Sequence, residues 1–593
     1  MSYYTAMHWG VYEVERDPDG EPALRPFRDD PAPSPIGLHA LAPELRRARI
    51  QRPAIRKSWL NGGPGGNGSG RGREPFVVVE WDEAVDLVAS EIERVRREHG
   101  NRSIFGGSYG WSSAGRFHHA QSQVHRFLNS VGGYVRHNDS YSLGAGRVLM
   151  PHILASIDQL FVSHTDWQVL EAHTELFVTF GGVPEKNAQV SAGGTTEHRV
   201  PGALRRMAAN GARFVNVSPV RDDLDTGQPF EWVPIRPNTD TALMLGIAHT
   251  LYSEGLHDQQ FLDRYSVGFD RFLPYLTGAS DGTPKSAAWA SAITEVPAER
   301  IVALARDMAS RRTLLNIAFS LQRAHHGEQP FWMLTTLAAM LGQIGLPGGG
   351  LGIGYGATNT MGSRHPRFSG PTLPQGENPV RDFIPVARIA DMLLNPGQRF
   401  RYNGEEHSYP DIRLIYWAGG NPFHHHQDLN RLRRAWERPD TIIVHEQFWT
   451  PTARLADIVL PATTSLERED IGYSNREGHM VAMSQVTPPL AESRDDYAIF
   501  AALADRLGAG ERFTQGRTAR DWLSHMYQES RERAAKAGVT LPPFDAFWQS
   551  GIIDIEGDDQ PVVMLEDFRR DPDAHPLATP SGRIEIFSAR IAG

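Results

Sequence analysis

The chain contains no cysteine. That excludes disulfides, thiolate nucleophiles, zinc held on sulfur and iron–sulfur clusters ligated by cysteine. Any redox role must use a cofactor not bound through sulfur, fed by an external electron donor. Lysine is almost as scarce: Lys57, Lys186, Lys285 and Lys536 are the only four, so the basic side chains are nearly all arginine. With 60 basic against 70 acidic residues the net charge is −10, and the basic domain of a nucleic-acid binder is missing. Long apolar runs are missing too. The longest uncharged stretch, 329–363, has an apolar part, 331–344, too short to span a bilayer, and it runs into Pro347-Gly348-Gly349-Gly350. It reads as a buried helix followed by a glycine loop. The first nine residues, MSYYTAMHW, carry neither a basic stretch, an apolar core nor twin arginines, which predicts a cytoplasmic protein with no membrane partner.

What is present is the composition of a globular protein: 593 residues, 40% hydrophobic and 22% charged, too long for one core and expected to form three or four lobes. The first sixty residues are proline-rich and irregular. Asn61 to Arg73 holds seven glycines and reads as a flexible surface loop, since it lacks the Lys-Ser/Thr ending of a phosphate-binding loop. Helical spacing runs from Trp81 to His99, with further helices over 240–253, 298–310, 331–344 and 496–507. Short β-branched runs predict strands at 103–105, 176–180, 214–217, 414–417 and 441–444. Their alternation is the signature of an α/β protein.

One pattern occurs twice. Phe180-Gly181-Gly182-Val183-Pro184 and Trp417-Ala418-Gly419-Gly420-Asn421-Pro422 each close a strand, and each precedes a second strand ending in polar residues, Val217-Ser218-Pro219 and Val444-His445-Glu446. A strand running into two glycines lets backbone amides approach a phosphate, and the next strand end can reach a ribose. Each copy alone is also explained by a plain turn. Together they suggest two related nucleotide half-sites. Four further segments are rich in small, aromatic, hydroxyl or imidazole side chains: 107–115, 139–146, 319–329 and 424–428. The run His424-His425-His426 suggests a metal, but consecutive histidines do not readily face one ion.

Six ordered segments, SYGWSSAG, SYSLGAG, LQRAHHGEQ, MLGQIGLPGGG, WAGGNPFHHHQD and ADIVLPATTSLER, resemble the dimethyl sulfoxide reductase family of molybdenum enzymes, on the side of its biotin sulfoxide and trimethylamine N-oxide reductases. The resemblance covers essentially the whole chain. It implies a multi-lobed molybdopterin-oxidoreductase architecture: two Rossmann-like dinucleotide-binding lobes, 61–150 with 375–529 and 151–374, and a smaller irregular, β-rich lobe, 1–60 with 530–593. It implies molybdenum, with tungsten equally allowed, held between two molybdopterin guanine dinucleotides, and no iron–sulfur cluster. The metal ligand falls on Ser142, an oxygen donor suited to a hard, high-valent metal. Tyr109 and Trp111 match hydrogen-bond donors to the oxo group or substrate oxygen, and Arg323 matches a cation near the pocket. Cofactor contacts fall on Trp111, Lys186, Asn187, Ser218, Asn238, Thr239, Asp240, Phe319, Ser320, Arg323, Asn421, His425, His445, Glu446, Arg468 and Asp496.

The implied activity is oxygen-atom transfer from a sulfoxide, with an amine N-oxide as the alternative substrate; Tyr109 favours the sulfoxide. Three positions depart from the family pattern: Phe319 stands where relatives carry tryptophan, Ser218 where they carry aspartate, and Val183-Pro184-Glu185-Lys186-Asn187 is an unusual loop. The family also continues past a segment like 581–588 into a further β-rich domain, so either a separate chain supplies that domain or the chain is a truncated product, a non-catalytic or split-enzyme subunit.

Overall fold

The structure, a computed structural model, describes residues 3–110, 113–365, 368–557 and 560–593. The chain divides into two compact units, residues 1–141, 190–196 and 366–556 forming one, and residues 142–189, 197–365 and 557–593 the other. Nine strands form the parallel parts of the two main sheets: β1 (Ile104–Gly107), β2 (Leu176–Phe180), β3 (Arg213–Val217), β4 (Glu231–Val233), β5 (Thr313–Ile317), β6 (Gly350–Ile353), β7 (Leu414–Ala418), β8 (Thr441–Glu446) and β9 (Ile458–Pro461).

In the first unit β1, β7, β8 and β9 are parallel neighbours in the order β1-β7-β8-β9, and beyond β9 the sheet continues antiparallel through Ala54–Arg56 and then Phe76–Val78. A parallel strand covered on both faces reads as a continuous apolar run, and Leu414-Ile415-Tyr416-Trp417-Ala418 is wholly buried. Alternate residues serve opposite faces. Leu414 and Tyr416 pack with the helices Trp81–His99, Ala120–Ser130 and Asp496–Arg506, while Ile415 and Trp417 pack with Ile389, Leu432 and Trp436. A second sheet of this unit joins Tyr3–Met7, Gly10–Arg16 and Pro22–Pro26 to Asp470–Tyr473, His479–Met483 and Ile552–Asp554.

The second unit is built on the order β4-β3-β2-β5-β6, parallel throughout. The helices Val200–Ala209, Asp240–Ser253, Ala298–Ser310 and Gln329–Met340 contribute to the same core. In both sheets the chain order reverses at one place. From β2 it steps to β3 and β4 on one side, while β5 and β6 lie on the other; from β7 it steps to β8 and β9, while β1 lies on the other side. Outside the carboxyl ends of strands at such a reversal, open α/β sheets form their ligand crevices. Those ends are the segments after β2 and β5, and after β1 and β7.

The predicted strands and helices form within a few residues of their expected ends. Of the segment expected to share a lobe with residues 1–60, residues 530–556 lie in the same unit and 557–593 in the other. The N-terminal strands pair with His479–Met483 in the first unit, whereas Ile584–Glu585 pairs with Ser266–Val267 in the second. The loop 61–73 is also less free than its glycines suggest. Arg71 is buried at its end and binds both oxygens of Asp457 and the carbonyls of Trp436 and Pro439. Among the described residues, no helix is long and apolar enough to cross a membrane.

Candidate active site

In the first unit, β1 delivers Ser108 and Tyr109 beside the end of β7. The Tyr109 N–H donates to the Gly419 carbonyl at 2.8 Å. Gly419 and Gly420 have φ of +83° and +78°, and a Cβ on Gly420 would come within 2.6 Å of the Tyr109 Cβ, so only glycine permits this approach. The Trp417 indole N–H donates to the Gly420 carbonyl at 2.9 Å, and its ring receives the edge of Tyr109 at 4.9 Å. The half-buried Tyr109 hydroxyl lies 2.5 Å from Nε2 of His426, whose Nδ1 lies 2.7 Å from the Tyr141 hydroxyl. Burial raises both phenols, Tyr109 well above its ordinary value, and lowers His426 to about 4.

The expected cofactor residues of this unit sit at the ends of β7 and β8 and just beyond. Asn421 caps the short helix Pro422–His425, accepting from the Phe423 N–H at 3.1 Å and from the Thr452 hydroxyl. His425 is exposed, with its ring 5.2 Å from that of Tyr109. His445 is not free for a ligand: its two nitrogens lie 2.8 Å from the Tyr416 hydroxyl and 2.8 Å from Asp496, in the buried interior. Asp496 is held low by that histidine against the opposing effect of burial. Glu446 is raised by burial, and it accepts from the Gln447 N–H and the Thr450 hydroxyl. Arg468 donates to the Thr463 carbonyl at 3.2 Å and to that of His118 at 3.4 Å. Its Nε and Nδ1 of His118 are buried without a hydrogen bond among the described residues.

In the second unit, β2 runs into Gly181 and Gly182, with φ of +87° and +78°. A Cβ on Gly181 would reach 2.4 Å from Leu321 and 3.1 Å from the Ser320 hydroxyl, so this turn packs directly against the segment after β5. Phe319 is buried there and Ser320 exposed; Arg323 also reaches the surface. Ser218, at the end of β3, is buried. Its hydroxyl donates to Asp223 at 3.1 Å and accepts from the Val220 N–H at 3.1 Å. Lys186 extends to the other Asp223 oxygen at 3.3 Å, and Asn187 beside it is exposed. The strand end that has serine for aspartate therefore still carries a carboxylate, borne by Asp223. Asn238 is exposed with φ of +66°, Thr239 bonds the Arg236 carbonyl at 2.6 Å, and Asp240 opens its helix in a buried position that raises it to about 6.

Ser142 lies in the turn before the helix Gly144–Leu149, half-buried, with no hydrogen-bond partner for its hydroxyl among the described residues. Gln322 grips this turn at two points. Its Nε2 donates to the Ser142 carbonyl and its Oε1 accepts from the Gly146 N–H at 3.2 Å. Gln322, Asp223 and His426 were not singled out by the sequence reading. Gln322 and His426 stand inside motifs that drew attention for other residues, and only Asp223 had no local signal. Trp111 lies outside the described residues.

The family described as Molybdopterin oxidoreductase matches residues 49–506. The chain belongs to it, as an enzyme of the dimethyl sulfoxide reductase family and its S-/N-oxide reductases. It is 48% identical over 572 residues to a biotin sulfoxide reductase of Cereibacter sphaeroides, covering 96% of this chain and 76% of that protein. A dimethyl sulfoxide/trimethylamine N-oxide reductase of Rhodobacter capsulatus is 44% identical over 602 residues, 98% of this chain and 72% of the relative. A trimethylamine-N-oxide reductase of Haemophilus influenzae is 41% identical over 605 residues, with coverage of 98% and 72%. In fold the chain is similar to acetylene hydratase from Pelobacter acetylenicus, with a TM-score of 0.64, 18% identity, and coverage of 100% and 78%. A molybdopterin cofactor follows from the family.

The donor set fits that group. Two pairs of glycines take the left-handed conformation after β2 and β7, so neither strand end carries a side chain there. Two buried nitrogens, on Arg468 and His118, have no hydrogen-bond partner among the described residues. The one hydroxyl expected to meet a metal is uncommitted.

Proposed function

We propose that the chain reduces S-oxides, with the metal carried by two molybdopterin guanine dinucleotides. When bound, that group supplies the two-electron chemistry by which an oxide oxygen is removed. Ser142 is the residue that would ligate the metal, its turn pinned by Gln322. Lys186, Asn187, Ser218, Asn238, Thr239, Asp240, Phe319, Ser320 and Arg323 would hold one dinucleotide. Asn421, His425, Glu446 and Arg468, with Trp111, would hold the other. His445 and Asp496 serve that half from behind, since their hydrogen bonds are spent on each other and on Tyr416.

The glycine pairs place no side chain where a phosphate would approach the two strand ends. Arg323 brings a permanent positive charge suited to a polar S–O group. An external donor supplies the electrons, because a chain without cysteine has no cysteine-ligated cluster to relay them.

The observation that carries the choice of substrate is Tyr109. Its hydroxyl is raised by burial, so it stays protonated and can donate to the oxygen of the oxide. A fixed donor strengthens as negative charge gathers on that oxygen, with no reorganisation at the moment of reaction. Competition between dimethyl sulfoxide and trimethylamine N-oxide, with a reduced dye as donor, tests the reading. We expect the sulfoxide to be preferred and Tyr109→Phe to lose most of that preference. Equal use of both oxides, unchanged by the substitution, refutes it. The names of the relatives keep an N-oxide reductase as the second reading, and the same competition decides between them.

A further inference from the structure

Tyr109 does not stand alone in the first unit. Three rings form a chain: Tyr109 Oη to His426 Nε2 at 2.5 Å, and His426 Nδ1 to Tyr141 Oη at 2.7 Å. The Tyr141 hydroxyl also reaches Oε1 of Gln427 at 3.3 Å. The ring of Tyr109 is set edge-on against Trp417, His425 and His137 at 4.9, 5.2 and 5.8 Å, so its hydroxyl has little freedom to search for another partner. His426 is buried and neutral, and a neutral imidazole has one N–H and one lone pair.

The two tautomers of His426 arrange this chain differently. In one, Tyr141 donates to Gln427, His426 carries its hydrogen on Nδ1, and Nε2 absorbs the Tyr109 hydrogen. In the other, Tyr141 donates to Nδ1, His426 carries its hydrogen on Nε2 and gives it to the Tyr109 oxygen. Only the second leaves the Tyr109 hydrogen pointing away from the chain, available to an incoming acceptor. We infer that His426 is a positioning residue for the Tyr109 hydroxyl: held by Tyr141 in the Nε2–H tautomer, it aims that hydroxyl at the oxygen of the oxide substrate. The inference rests on the role given to Tyr109 above, and adds to it the two side chains that make Tyr109 a donor.

The experiment uses the cofactor-loaded protein and five variants, one of them a double substitution. In ¹⁵N-histidine-labelled protein, the His426 signals, assigned by their loss in His426→Gln, are expected to show hydrogen on Nε2; hydrogen on Nδ1 overturns the inference without reference to activity. In protein carrying 3-fluorotyrosine at position 109, His426→Phe is expected to shift the ¹⁹F resonance. His426→Gln, which keeps a polar group at the Nε2 position, is expected to return it most of the way. With dimethyl sulfoxide, His426→Phe should lower kcat/KM about tenfold, the scale of one lost hydrogen bond. Adding it to Tyr109→Phe should cost nothing more. His424→Gln, an exposed neighbour, should change neither resonance nor rate. An unmoved ¹⁹F resonance in His426→Phe, or full activity there while Tyr109→Phe is impaired, overturns the inference alone. Full activity in Tyr109→Phe overturns the underlying reading, and this one with it.

Discussion

Replacing Gln322 by methionine asks how much one amide contributes to holding the turn of Ser142. Gln322 is buried and uses both ends of its side chain on that turn, donating to the Ser142 carbonyl and accepting from the Gly146 N–H at 3.2 Å. Methionine has nearly the same length and flexibility, so packing changes little and the loss is mainly of hydrogen bonding. The Gly146 N–H is left buried without a partner, while the half-exposed Ser142 carbonyl recovers water, which together cost about 2–3 kcal/mol. The penalty falls on one turn, so local opening should precede global unfolding. At about 1.4 kcal/mol per factor of ten, amide hydrogen exchange in a peptide spanning Gly144–Leu149 should speed up roughly 30- to 100-fold. Molybdenum content of the purified protein should fall in parallel. Unchanged protection in that peptide would show that Gln322 does not restrain the turn.

Two further outcomes concern buried charge. Arg71→Met removes one of the two guanidiniums on the fully buried Asp457, the other being Arg56 at 2.8 Å. Because half of the compensation remains, the loss should be near the lower end for a broken buried pair, about 3 kcal/mol, read as a lower urea midpoint; an unchanged midpoint would mean that solvent reaches Asp457. Asp240 is raised by burial from 3.8 to about 6, so the folded protein binds its proton more tightly than the unfolded chain does. Stability should therefore fall as pH rises between about 4 and 6, by up to about 3 kcal/mol. Asp240→Asn should abolish that fall in cofactor-free protein, and parallel stability–pH curves for the two proteins would refute the assignment.

Much of the fold was legible because its strands are short, buried and β-branched, and because the two glycine pairs mark where strands give way to turns. Gly181 and Gly419 could be placed at strand ends from sequence, since two glycines after an apolar run end a strand whatever the turn is for. The lobe boundaries were not legible. Nothing local in Tyr3–Met7 says that it pairs beside His479–Met483, or in Ile584–Glu585 that it pairs with Ser266–Val267, because pairing across hundreds of residues leaves no periodicity to read. At the site, residue types were recognisable while their partners were not. His445 reads as a ligand at a strand end and is instead committed to Tyr416 and Asp496. Ser218 reads as a lost carboxylate, yet Asp223 restores one through a turn whose geometry the sequence does not spell out.

The position of β1 has a consequence for how the protein is made. Its ladder partner is β7, and it borders no other strand of its parallel sheet. A ribosome adding some ten residues per second makes β7 roughly half a minute after the strand that ends beside Tyr109, which until then can pair with Val135 on its other edge. Throughout that interval the apolar Ile104 and Phe105 are on offer to any passing edge. The place of this strand in its sheet is thus completed only once β7 has been made, late in the synthesis of the unit.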